Sequence, residues 1–133
     1  MRLLAFAALF CLGLAAAAAA QTTENCPQSI PISQTGSTDL YTSHNIMHIC
    51  SVVLMNAGTG QSVSLVEGTG STCGTGTVAL MGGTSASMLF AVSGTLAVAA
   101  GTPWLRSHVK GNHLCLLQSG STNISGVITL TDQ

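Results

Sequence analysis

Three stretches of this chain carry residue types that can do chemistry, and each calls for a different one. VSLVEGTGSTCGTGTVAL at 63–80 places Gly68, Gly70 and Gly74 in a loop of the kind that cradles phosphate. GTSAS at 83–87 lies one residue from the GxSxG elbow of serine hydrolases, with Ser87 where the last glycine belongs. PWLRSHVKGNH at 103–113 gathers the single Trp with Arg106, Lys110 and two of the four histidines. A Walker loop needs Lys followed by Ser or Thr after its last Gly, and no Lys lies between Gly68 and Thr77. A dinucleotide loop needs GxGxxG opening a helix, whereas this one reads GxGxxxG between two strand-like runs. What remains is a small-residue connector whose Cys73 can be tied to another part of the fold by a disulfide.

The catalytic sets fail on the same kind of test. No helix is signalled after GTSAS, as a nucleophile elbow requires. Paired carboxylates for glycoside hydrolysis would have to come from Glu24, Asp39, Glu67 and Asp132, two of which lie near the ends of the chain left after export processing. His44 and His48, four extended residues apart, would stand roughly 13 Å from each other, too far to share a metal. His108 and His113 flank a turn and could approach one another. The reading is a protein with no enzyme activity, no cofactor and no metal.

Binding is the better prospect. If Leu105, Ser107 and Val109 face inward on a strand, then Trp104, Arg106, His108 and Lys110 share its outer face. An exposed Trp can stack on a sugar ring and the cations can hold a carboxylate or phosphate, so an acidic glycan suits this face. The plainer alternative has Trp104 closing the edge of the core while the cations keep an edge strand soluble.

The elements that must position these residues follow from pattern. Met1 and Arg2, the apolar run 3–20 and the small residues Ala18 to Ala20 read as a signal peptide cleaved before Gln21, leaving one domain over 21–133. Cys11 goes with the segment, and Cys26, Cys50, Cys73 and Cys115 remain. Without a CxxC knuckle they read as two disulfides rather than a zinc site, and spacing leaves all three pairings open. This places the protein in a secreted or periplasmic setting, with no membrane association after cleavage. Beyond the signal the only cations are Arg106 and Lys110, too few to neutralise phosphates, so nucleic acid is excluded as a partner.

No helical period is sustained after Ala20. Short β-branched or apolar runs alternate instead with Gly, Ser, Thr and Asn, which predicts strands near 29–33, 39–42, 46–56, 62–67, 77–81, 87–92, 96–99, 105–109, 113–118 and 124–131. Hairpin turns are expected at AGTG 57–60, MGGT 81–84, KGN 110–112 and SGSTN 119–123. The fold class is all-β, an antiparallel β-sandwich of jelly-roll or immunoglobulin-like order. IMHICSVVLM at 46–55 is apolar on both faces, which calls for cover on both sides and allows a homo-oligomer.

VSLVEGTGSTCGTGT, PWL, GNHLCLLQSG and ISGVITLT together resemble a group of small, mostly uncharacterised four-cysteine exported proteins of environmental bacteria and phages. The resemblance runs from Cys26 to the C-terminus and is most specific in TCGTGT and NHLCLLQSG. It implies a compact β-sandwich similar to phage decoration or fibre-associated domains, built into a cell-surface or virion assembly, and it implies no catalytic residue. The expectation is a non-catalytic structural or surface-binding module, the alternatives being a virion decoration protein or an acidic-glycan binder.

Overall fold

The computed structural model of the protein describes residues 25–100 and 102–133; the expected signal peptide lies outside them. Ten strands follow in order: β1 (Gln28–Gln34), β2 (Thr38–Thr42), β3 (Met47–Asn56), β4 (Gln61–Thr69), β5 (Thr75–Met81), β6 (Met88–Phe90), β7 (Thr95–Ala99), β8 (Leu105–Arg106), β9 (His113–Gln118) and β10 (Ile124–Asp132). Each falls within a run expected to be strand or overlaps it closely, because alternating apolar and β-branched residues bounded by turn formers leave few other options.

The strands form two antiparallel sheets packed face to face. The first runs β1-β10-β3-β7, with β8 continuing the β7 row along the start of β3; the second runs β2-β9-β4-β5, with β6 continuing the β5 row along the start of β4. Strands therefore pair by mirror position: β1 with β10, β2 with β9, β3 with β7 and β8, and β4 with β5 and β6. The chain is in effect one long ribbon, folded back at 82–87 and rolled into two layers, and this is the strand order of a jelly roll.

That order corrects the expected hairpins. The turns at 57–60, 110–112 and 119–123 all cross between sheets, and 81–84 links two strands that both pair with β4. Turn-forming residues report that the backbone reverses; they do not report which strand will receive it. Among the described strands, the one pair of chain neighbours that also pair in a sheet is β4 and β5.

The two apolar faces of β3 also have a different cause from the one expected. Its register with β10 slips by one residue, Ser51 standing opposite Thr129 and Ile49 opposite Leu130, so Cys50 is an extra, bulged residue. The inward phase changes there, from Met47 and Ile49 to Val52 and Leu54, all fully buried. Apolar residues occupy both parities because each half of the strand uses a different one. A second covering layer is not what the pattern records, and Met55 on the outer face is left exposed.

The core between the sheets is built from these residues with Ile32, Val63, Leu65, Phe90, Leu114, Leu116, Ile124, Ile128 and Leu130. A second, smaller cluster lies on the outer face of the second sheet, where Val66, Cys73 and Cys115 are buried with Leu117 against them. The glycine-rich loop is what buries it. A 3-10 turn at Ser71–Cys73 folds over the sheet, and the Cys73–Cys115 disulfide fastens it to β9. Gly68 permits that approach, since a Cβ there would stand 2.9 Å from both Cβ and the carbonyl oxygen of Cys73. The other bridge, Cys26–Cys50, ties the entry of β1 to the bulge in β3 across the intervening β10.

Each disulfide restricts the unfolded chain by an amount worth about 3 to 4 kcal/mol for loops of this size. Cys73→Ser should therefore lower the melting temperature by on the order of 10 °C under oxidising conditions and leave the Cys115 thiol titratable, as thermal melts and thiol counting would show. Gly126→Ala should be at least as damaging, because a Cβ at this position of β10 would lie 1.9 Å from the Val53 carbonyl oxygen. Denaturant titration would record a loss of several kcal/mol, or failure to fold.

Candidate ligand-binding edge

The segment after β8 is shaped by a buried carboxylate. Glu67 sits on β4 opposite Leu114, on the inner face with Val63 and Leu65, and is fully buried. A buried charge needs several hydrogen-bond partners, and the 107–109 segment provides them. The backbone N–H groups of His108 and Val109 donate to Glu67 Oε1 and Oε2 at 2.7 and 3.4 Å, and His108 Nδ1 lies 2.7 Å from Oε1. On the other side Ser107 exchanges bonds with Met47, its N–H donating to the Met47 carbonyl and its Oγ accepting from the Met47 N–H. One short segment thus joins the ends of both sheets.

These bonds correct the expected strand over 105–109. The strand ends at Arg106: after the Ser107 N–H bonds Met47 on β3, the N–H groups of His108 and Val109 turn to Glu67, so Val109 is exposed rather than inward. The four predicted binding residues are all exposed, as expected. Arg106 and His108 line a common open depression of about 360 Å³ together with Ser107. Trp104 precedes it, its backbone N–H bonded to the Ile49 carbonyl and its surface 38% exposed. Lys110 falls in the turn that follows and does not line the depression. The structure thus brings Arg106 and His108 together and leaves Lys110 to one side.

With Nδ1 held by Glu67, Nε2 is the nitrogen of the His108 ring left for a ligand, and the side chain is 61% exposed. A carboxylate behind an imidazole sets its orientation. The arrangement can present a guanidinium and an imidazole to one anionic group. Pattern reading did not find the Glu67–His108 pair, although a carboxylate at the inward parity of VSLVE was a signal that a partner must reach it.

The other candidate groups are used structurally. His113 Nδ1 bonds Asp39 on the neighbouring β2 rather than meeting His108. His44 lies in the turn before β3, where its backbone N–H bonds Asp132, and so does not share a strand face with His48. The 82–87 turn is closed by the Ser87 N–H, which donates to Gly82 and Ser64, and its serines bond no histidine or carboxylate among the described residues. Among the described residues no group of three or more His, Cys, Asp or Glu could hold a metal, and no helix is long and apolar enough to cross a membrane.

Asp132 is the remaining hub. It accepts from Ser43 Oγ at 2.8 Å, the N–H groups of His44 and Asn45 at 3.0 Å each, and Tyr41 Oη at 3.1 Å. Burial opposes its ionisation, but these donors outweigh burial and hold the carboxyl below its ordinary range. Burial first, and then the Asp132 carboxylate, push the Tyr41 phenol up.

Fold and site together define a disulfide-stapled jelly roll with a cationic edge built on a buried carboxylate. The two disulfides are those of an oxidising environment, extracellular or periplasmic. Comparison of the chain with protein-family models, curated proteins and solved structures finds no match in any of the three.

A carboxyl lowered in the native state stabilises it fully above the unfolded value of about 3.9, and that stability is lost as the pH falls through the lower native value. Asp132→Asn should cost about 1 to 3 kcal/mol near neutral pH. Its deficit against the unaltered protein should shrink below about pH 4, and urea titrations across that range would measure it.

Proposed function

We propose that the protein is an exported, non-catalytic binding module that attaches to a surface through an acidic glycan held at the β8 edge. The observation that carries this reading is the joint exposure of Arg106 and His108 in one depression, with the His108 ring anchored from behind by Glu67. Arg106 supplies a planar fork for a carboxylate or sulfate, His108 adds a second donor when protonated, and Trp104 offers an apolar face to the sugar ring. Lys110 acts from the rim by long-range attraction only. Export follows from the expected signal peptide, and the likeness to phage decoration and fibre-associated domains belongs to the same proposal.

A second reading, a structural subunit of a cell-surface or virion assembly, is favoured by a different observation. Where β1, β10, β3 and β7 lie side by side, the outer face of the first sheet is three aligned rows, Ser29-Thr129-Ser51-Ala99, Pro31-Val127-Val53-Ala97 and Ser33-Ser125-Met55-Thr95, with no charged residue among them; Arg106 lies beyond them on β8. Small uncharged residues in register form a surface that can pack closely against another.

The first reading is tested on an array carrying uronic-acid, sulfated and neutral glycans. The protein should be retained by the acidic ones, less so as salt is raised. Arg106→Ala should lower retention about tenfold or more, and Trp104→Ala should do likewise, both with unchanged melting temperature. Equal retention of all three proteins would overturn the site, and absence of retention on any acidic glycan would favour the structural reading.

A further inference from the structure

The two sheets expose edges, and most of them carry features that discourage pairing with another strand. β1 has Pro31 at its centre, β2 has Asp39 and a register shift, β5 has Gly76 and two register shifts, and β8 carries Arg106. β7, Thr-Leu-Ala-Val-Ala at Thr95–Ala99, has none of these. Its register against β3 is unbroken, and the sequence from Gly68 to Leu105 contains no charged residue.

Its free hydrogen-bonding groups can be assigned. Asn56 N–H donates to the Gly94 carbonyl at 2.9 Å and Ala100 N–H donates to the Cys50 carbonyl at 3.4 Å, one at each end of the strand. In an antiparallel ladder both groups of a residue point the same way and alternate residues point opposite ways. Leu96 and Val98 therefore face β3, and Thr95, Ala97 and Ala99 present their N–H and C=O groups to the open side.

We propose that β7 pairs with β7 of a second copy, antiparallel and two-fold about Ala97, making the first sheets of two molecules continuous. The register is self-complementary: Ala97 meets Ala97 of the copy, Thr95 meets Ala99, and every open N–H and C=O of these residues finds a partner. Leu96 comes opposite Val98 on the inner side, extending the apolar layer, while small side chains meet on the outer side. A two-fold contact sets each group near its own kind, and here no charges are brought together. Beside the same edge lies an apolar depression of about 240 Å³ between β6 and β7, lined in part by Leu89, which is 78% exposed and which a neighbouring copy would cover.

The test is the mass of the oxidised, processed protein by light scattering and native mass spectrometry, with three variants at one position. The unaltered protein should have twice the chain mass. Ala97→Lys sets like charges opposite each other at the two-fold axis and should give the monomer. Ala97→Pro removes a donor that β3 does not use and should do the same. Ala97→Cys should form a disulfide between copies, since the Cα atoms of a hydrogen-bonded pair lie about 5.5 Å apart, within disulfide reach. Melting temperatures of the lysine variant at low concentration would show that the fold is retained. A monomeric unaltered protein, or a dimer that survives Ala97→Lys and does not crosslink at Ala97→Cys, would overturn the proposal. Neither result bears on glycan retention, which uses β8 and the 107–109 segment, at the other end of the β7 and β8 row beyond the bulge.

Discussion

One extra residue in a central strand sets the terms for the rest of the molecule. β3 lies between β10 and the β7 and β8 row, so both of its neighbours in the first sheet take their register from it. The bulge at Cys50 lets Met47 and Ile49 at one end, and Val52 and Leu54 at the other, all point into the core. A regular strand would turn one of those pairs to solvent, because side chains alternate with a period of two. The same residue anchors the bridge to Cys26. The bulge also divides the outer partners of β3: β7 pairs on one side of it and β8 on the other.

Where β8 ends, the constraint passes from packing to charge. Glu67 is an inward residue at the end of the second sheet, and a buried carboxyl group is tolerated only when its oxygens are hydrogen-bonded. The 107–109 segment supplies those donors and in doing so leaves the ladder. This ties the candidate site to the architecture: the depression lined by Arg106 and His108 lies where the chain bends to satisfy a buried group. Asp132 does related work for the turn at 43–45, holding it with two backbone N–H groups and a serine hydroxyl.

The glycine-rich loop belongs to the same economy of small residues. It has no large apolar side chain to hold it down, and it includes Thr72 and Cys73 at positive φ, a conformation that residues with a Cβ adopt at some cost. A covalent tie to β9 offsets that cost and encloses Val66 and Leu117 beneath the loop. A chain with few charges and modest side chains thus acquires a second buried cluster outside its main core.

Much of the fold was legible in the sequence. Alternation and turn residues located all ten strands, the even set of cysteines after Ala20 indicated two disulfides, and the exposure of Arg106 beside the inward Leu105 followed from parity. These are local properties, decided by backbone preference and by which side chains water rejects. The pairing of Cys26 with Cys50 and of Cys73 with Cys115, the mirrored strand order, the bulge and the meeting of Glu67 with His108 were decided only in three dimensions. The physical reason is common to all of them. In a jelly roll nearly every contact joins residues far apart in the chain, so a strand's own sequence states that it needs a partner and a buried face, while the partner is chosen by how the whole ribbon can close over one core.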